Sequence, residues 1–222
     1  MNSQIKMIRD CTDLIVYEDD FLLVLDKPPG TLVHPTVQES GHTLYDLVRN
    51  YYVNRQTAAT VHPVSRLDRF TSGLVVFAKE GIVQAWLSQG LFEKEYLAIS
   101  DNPPRADAGT IDAPIARKEG SIIQRCIDYA NGKPARTEYR VLQSGRHILM
   151  AVRLCSGRTH QIRVHLASIG CPLHGDGLYG PPAPPGRHAL HCWKLRFRHP
   201  VSDTIMEITR NMPRDMWEIL NT

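Results

Sequence analysis

Asp68 is the residue in this chain best placed to do chemistry. It stands between Arg66 and Arg69, beside the turn residues Thr71, Ser72 and Gly73. Directly behind them, Leu74-Val75-Val76-Phe77-Ala78 reads as a buried strand from its β-branched and aromatic content, so the carboxylate sits on a loop entering the core. Catalytic groups favour such loops. An ionised carboxylate there can attack an electrophilic carbon, stabilise developing positive charge or move a proton. The bland alternative is an aspartate that caps the turn or pairs with Arg69.

The words around Asp68 resemble the RluA-type family of pseudouridine synthases, whose signature is Arg-Leu-Asp followed shortly by Thr-Ser-Gly. Here these are Arg66-Leu67-Asp68 and Thr71-Ser72-Gly73. Three further blocks match in the family's order: Tyr17 to Gly30, ending Asp26-Lys27-Pro28-Pro29-Gly30; Lys94-Glu95-Tyr96-Leu97-Ala98; and Gly157-Arg158-Thr159-His160-Gln161-Ile162-Arg163, which closes with Pro172-Leu173-His174-Gly175-Asp176-Gly177-Leu178-Tyr179-Gly180. Ser65 stands where the family often has His, which bears on the neighbouring contact and on RNA preference.

The resemblance implies isomerisation of a uridine in RNA. The bond from ribose C1′ to uracil N1 breaks, the detached base turns, and C1′ joins C5. Such chemistry needs a carboxylate beside the sugar, a dry pocket and access to a flipped base, with no redox or group donor, so no cofactor is expected. By the same resemblance Asp68 is the catalytic carboxylate, attacking sugar or base or assisting a glycal-type intermediate. Arg163 is its ion-pair partner, Tyr96 stacks on the uracil and handles a proton at C5, and Arg66 fills the gap left in the RNA stack. Arg158, His160 and Lys94 lie inside matching words and are candidates for phosphate contact or for ordering the site.

Composition sets the frame. A chain of 222 residues with 42% hydrophobic and 22% charged content can bury one sizeable core. We expect a single catalytic domain over 1–222 with no appended N-terminal RNA-binding domain. No stretch approaches the roughly 18 apolar residues of a membrane span. Met1 to Asp10 lacks the apolar core of a signal peptide, so the expected location is the cytoplasm. The five cysteines are scattered without a Cys-x-x-Cys pair, and pairings such as His160 with His165 or Cys171 with His174 lack metal-ligand spacing, so no metal site is expected.

The net charge of +3 is mild, but its distribution is uneven. From Tyr139 to Ser202 the only acid is Asp176, set against Arg140, Arg146, Arg153, Arg158, Arg163, Arg187, Lys194, Arg196 and Arg198. A one-sided basic half suits a polyanion, here tRNA or ribosomal RNA, with no membrane and no obligate protein partner implied.

The elements that must position these residues follow from periodicity. Leu14 to Tyr17 and Phe21 to Leu25 read as strands around a turn. Thr43 with Asp46 caps a helix carrying Leu44, Leu47, Val48, Tyr51 and Tyr52, and a second helix places Ile82, Val83, Trp86 and Leu87 in the core. Strands follow at Tyr96 to Ile99 and Ile148 to Leu154. A short helix from His160 buries Ile162, Leu166 and Ile169, leaving Arg163 off that stripe, and Gly170 caps it. Pro181 to Gly186 is a loop. Trp193, Leu195 and Phe197 then alternate with Lys194, Arg196 and Arg198, so one strand face packs while the other meets phosphate. The fold class is α+β, with a mainly antiparallel mixed sheet and flanking helices, and the resemblance adds a central RNA-binding cleft.

Two other functions compete. A non-catalytic RNA-binding module would bind without turnover, and a hydrolase using Asp68 with His160 or His165 would release free uracil. On the basic-face reading, RNA affinity falls steeply with added salt and Arg196→Ala or Arg198→Ala lowers the slope; affinity indifferent to salt would remove that reading.

Overall fold

The computed structural model describes residues 10–36, 41–57, 60–90, 92–183 and 186–222. Most of the segment lacking a signal-peptide core, and Pro184 and Pro185 of the expected loop, lie outside them. A 3-10 turn leads to β1 (Ile15–Glu18) and β2 (Leu22–Lys27). Asp19 makes the turn between them, its Oδ1 accepting from the Phe21 and Leu22 N–H groups at 2.8 and 2.7 Å. Helix α1 (Leu44–Asn54) starts at the expected capping box: Asp46 N–H donates to Thr43 Oγ1 at 3.3 Å and Thr43 N–H to Asp46 Oδ2 at 2.9 Å. The five positions expected to pack, Leu44, Leu47, Val48, Tyr51 and Tyr52, are all buried.

The chain continues through β3 (His62–Pro63), β4 (Ser72–Ala78), α2 (Gly81–Gln89), β5 (Phe92–Ser100), β6 (Ala108–Asp112), β7 (Ile115–Arg117), β8 (Arg125–Ile127), β9 (Arg136–Gln143), β10 (Ile148–Leu154), α3 (Gln161–Ser168), β11 (Leu190–Arg198), β12 (Ile205–Thr209) and α4 (Arg214–Leu220). Helix α2 departs from expectation. Val83 and Leu87 are buried, but Ile82 and Trp86 face outward, 75% and 38% exposed, because so short a helix rests on the sheet along one edge only. Among the described residues no helix is long and apolar enough to cross a membrane.

Apart from the β7–β8 hairpin, the strands form one sheet in the order β1-β2-β4-β11-β5-β10-β9-β6, with β3 beside β4 and β12 beside β11. All described pairings are antiparallel except β4 with β11, which is parallel and spans only Ser72 with His191 and Gly73 with Cys192. This short contact joins two wings of the sheet. From Gly73 a register row runs through Cys192, Tyr96 and Val152 to Tyr139. Arg187 staples the join, donating from Nη1 to Ser72 Oγ at 2.8 Å and to Leu190 O at 3.3 Å while its Nε and Nη2 grip Asp215 at the start of α4.

Gly73 permits the join. Its φ is +112°, and a Cβ built there would lie 2.2 Å from the backbone oxygen of Cys192, so no side chain fits unless β11 moves away. Gly73→Ala is expected to destabilise the protein by more than about 1 kcal/mol in urea melts. Its effect on activity should be larger still, since the site straddles the two wings; unchanged melting and turnover would show that the join relaxes freely.

Candidate active site

The loop ahead of β4 carries Asp68, and its backbone is fastened on both sides of that residue. Val64 N–H donates to Val76 O at 2.8 Å, and the buried Ser65 hydroxyl accepts from Val76 N–H at 3.4 Å, so Ser65 faces a strand instead of the cleft. Arg69 O accepts from Gly30 N–H and from Lys27 Nζ, each at 2.9 Å. Lys27 is fully buried and also donates to Pro28 O and Thr31 O, matching three carbonyls to the three donors of an ammonium. Burial pushes its pKa down to about 7, with the negative charge of Asp68 pulling the other way. Thr71 N–H donates to Asp68 O at 3.1 Å, and Thr71 Oγ1 meets His188 Nε2 at 2.8 Å. Burial pushes His188 down to about 3, so it is neutral. The backbone is fixed while the Asp68 side chain projects, 19% exposed.

Arg163 comes from α3. The helix begins at His160, a non-glycine residue with φ +58°, in the left-handed region where L side chains are rare. Gln161 locks this entrance: its Oε1 accepts from Ser156 Oγ and Arg158 N–H, and its Nε2 donates to Arg136 O and Thr137 Oγ1, all at 2.9 to 3.0 Å. Every residue from Gln161 to Leu166 is buried, Arg163 included, which corrects the expectation that Arg163 lies off the packed stripe. Both sides of the helix are covered, by strands β8 and β9 and by the loop after it.

That loop supplies the partner that the sequence reading missed. Asp176 takes Arg163 in a bidentate pair, Nε to Oδ2 at 2.7 Å and Nη2 to Oδ1 at 2.9 Å, both residues being buried. The Arg163 charge and hydrogen bonds hold the Asp176 carboxyl below its ordinary pKa against the opposing effect of burial. What is left of the guanidinium, Nη1, stands 3.5 Å from Asp68 Oδ2. A signal was available: Asp176 is the lone acid among the basic residues from Tyr139 to Ser202. A charged residue kept alone in such a span has a specific cation to answer.

Tyr179, in the same loop, completes the frame. Its ring lies under Arg163, 4.9 Å from the guanidinium carbon, and its hydroxyl accepts from Arg125 N–H at 2.9 Å and meets His160 Nδ1 at 2.7 Å. With Arg125 as donor, the Tyr179 hydroxyl proton is best spent on His160 Nδ1. The imidazole proton then sits on Nε2, which is 3.8 Å from Asp68 Oδ2. Burial depresses the His160 pKa, so the ring is neutral at physiological pH.

Seven of the ten sequence-predicted residues line one open cleft: Arg66, Asp68, Lys94, Tyr96, Arg158, His160 and Arg163. Tyr96 is buried in β5 beside Cys192, and burial raises its phenol well above the ordinary value, so it is a donor at neutral pH. Lys94 is two residues earlier on the same strand face, and burial lowers its pKa. Arg66 and Arg158 are exposed at the rim.

Lys194, Arg196 and Arg198 stand apart. None lines the cleft, and each meets an acid: Glu207 at 2.8 Å, Glu93 at 3.3 Å and Asp203 at 3.0 Å. These acids lie outside the basic span and reach it through β5, β12 and the β11–β12 turn. The salt slope of RNA binding is therefore expected to respond to Arg66→Ala and Arg158→Ala, with Arg196→Ala and Arg198→Ala leaving it near wild type.

Residues 21–168 match the RNA pseudouridylate synthase family, and the chain belongs to it. It is 38% identical over 217 residues to the uncharacterized RNA pseudouridine synthase YhcT of Bacillus subtilis, covering 94% of this chain and 71% of that protein. It is 37% identical over 227 residues to ribosomal large subunit pseudouridine synthase D of Yersinia pestis, covering 93% and 69%. Among solved structures, human RNA Pseudouridylate Synthase Domain Containing 4 superposes with a TM-score of 0.79 at 24% identity, covering 95% of this chain and 93% of that one, a likeness of fold.

Asp176→Asn would leave a buried guanidinium without its anion, and the expected loss in denaturant melts is about 3 to 5 kcal/mol. Asp68→Asn, on a part-exposed residue with a longer contact, should lose far less. Equal losses would mean that Asp68 is the structural partner after all.

Proposed function

We propose that Asp68 is the catalytic carboxylate of uridine-to-pseudouridine isomerisation, and that the substrate is ribosomal RNA. The observation carrying the first part is the division of Arg163: Asp176 holds the guanidinium by two hydrogen bonds, while Asp68 receives only a longer contact from the remaining nitrogen. Asp68 is thus accompanied by positive charge without having its oxygens tied up. It stays available to the sugar as the C1′–N1 bond breaks.

The other roles follow from placement. Tyr96, buried and protonated, lies under the base and donates or relays a proton as C5 loses its hydrogen and N1 gains one, which keeps the rearrangement balanced as an isomerisation. Arg66, exposed two residues before Asp68, stacks where the flipped nucleotide has left the RNA. Lys94 and Arg158 meet phosphate, and His160 orients Asp68 through its Nε2–H. Ribosomal RNA is favoured because curated relatives across most of this chain are named for the large ribosomal subunit.

Asp68→Asn should retain the fold and RNA binding and lose tritium release from C5-labelled uridine RNA. In cells carrying that variant, pseudouridine maps of ribosomal RNA should lack the same position as cells without the gene. Near wild-type release by a folded, RNA-bound Asp68→Asn protein would refute the catalytic assignment, and a missing position in tRNA alone would refute the substrate.

A further inference from the structure

Outside the cleft, three segments distant in sequence converge on one point. Asp101 follows the last residue of β5, His147 precedes the first residue of β10, and His174 lies in the loop between α3 and β11. Ser100 pairs with Ile148 across the two strands, which sets Asp101 beside His147. The third segment is sewn on by backbone: His174 N–H donates to Ile99 O at 2.8 Å and Ala189 N–H to His174 O at 2.9 Å. His147 Nδ1 and His174 Nδ1 each stand 2.8 Å from the same oxygen, Asp101 Oδ1. The rings meet edge to face with centroids 5.1 Å apart.

We propose that Asp101, His147 and His174 form a binding site for a divalent transition metal of the zinc type. The three candidate ligand atoms lie within 4.8 Å of one another, each from a separately anchored segment. Without metal, one carboxylate oxygen accepts two imidazole N–H groups, and this already gathers the atoms a metal would take. Binding takes the lone pair of each Nδ1, so the proton there shifts to Nε2 of the same ring or, from an imidazolium, leaves to solvent, and the ion lies about 2.0 to 2.1 Å from each ligand atom. In a tetrahedron the two Asp101–imidazole separations open from 2.8 Å to about 3.3 Å, and the two imidazole nitrogens, now within 4.8 Å of each other, come to the same spacing, shifts within the reach of side-chain torsions. Two imidazoles and one carboxylate suit zinc, cobalt or nickel; magnesium and calcium prefer all-oxygen sites. Asp101 is half-exposed, so water completes the coordination.

The position gives the site a purpose separate from the chemistry at Asp68. His174 is two residues before Asp176, the partner of Arg163. A bound ion clamps the Pro172–Gly177 loop to the ends of β5 and β10 and so fixes the residue that holds the active-site guanidinium.

The test uses the full chain without a polyhistidine tag, stripped with chelator and titrated with zinc chloride. One equivalent should bind and raise the melting temperature by several degrees, and cobalt in its place should give the visible absorption of a low-coordinate nitrogen and oxygen site. His174→Gln and Asp101→Asn should each lose both responses. Asparagine keeps an oxygen able to accept from both imidazoles, so Asp101→Asn retains the metal-free hydrogen bonds, and its melting temperature without metal shows that the loop is intact. A wild-type chain that binds no zinc, or variants that bind it as wild type does, would overturn the assignment.

Discussion

The two-residue parallel contact between β4 and β11 is the constraint on which the site rests. Asp68 belongs to the wing containing β4, whereas Tyr96 and Arg163 belong to the wing built around β5, β10 and β11. Nothing in the backbone of either wing alone brings these groups together. A contact this short contributes few hydrogen bonds, so it needs close approach and side-chain reinforcement. Gly73 allows the approach by having no Cβ, while Ser72 adds its hydroxyl to His191 Nδ1 at 2.9 Å and to Arg187 at 2.8 Å. Its neighbours in the register row, Cys192 and Tyr96, carry the alignment from the join to the floor of the cleft.

Charge within the cleft is arranged by sharing. A buried guanidinium pairs with one carboxylate by preference, and the bidentate grip of Asp176 satisfies that preference away from the reacting centre. Had Asp68 been the tight partner, its oxygens would be held in the plane of Arg163 and displaced only at the expense of an exposed buried charge. Instead the loop backbone, fastened through Ser65, Arg69 and Thr71, holds Asp68 in position with its oxygens open. Position comes from main-chain bonds and charge from a guanidinium anchored elsewhere, so substrate can displace water from the carboxylate without loosening the fold.

The features legible in the sequence were those encoded locally. The Thr43–Asp46 capping box, the buried β4 run after Asp68 and the mainly apolar face of β10 involve residues within one element and appear in the structure as read. In β11, by contrast, a bulge at Trp193 breaks the expected alternation, and of Trp193, Leu195 and Phe197 only the last two join the main core. Word order placed seven candidates in one cleft. The features that were not legible are pairings between distant segments. The acids that neutralise Lys194, Arg196 and Arg198 come from residues 93, 203 and 207, so counting charge along the span of 139–202 overstated the basic face. Trp86 illustrates the same point for apolar surface: helical spacing fixes which residues share a stripe, but only the neighbouring strand decides how much of the stripe is covered.

The burial gradient across the cleft then determines what each group can do. Tyr96 is 4% exposed and its phenol is pushed up by burial, so it is a fixed neutral donor on the floor; Asp68, 19% exposed, is reachable from solvent and from a nucleotide entering past Arg66. His160 sits between these limits, neutral, its proton directed at Asp68 by Tyr179. On the proposed function, a base that enters passes cations at the rim, meets an anion on the wall and stops against an uncharged aromatic floor. In the proposed reaction the C1′–N1 bond breaks with its electron pair on N1, so detached uracil is an anion until it is protonated, and the neutral floor holds it without trapping it as a tight ion pair. On the same proposal, that sequence of environments lets the base turn in place before C1′ is offered to C5.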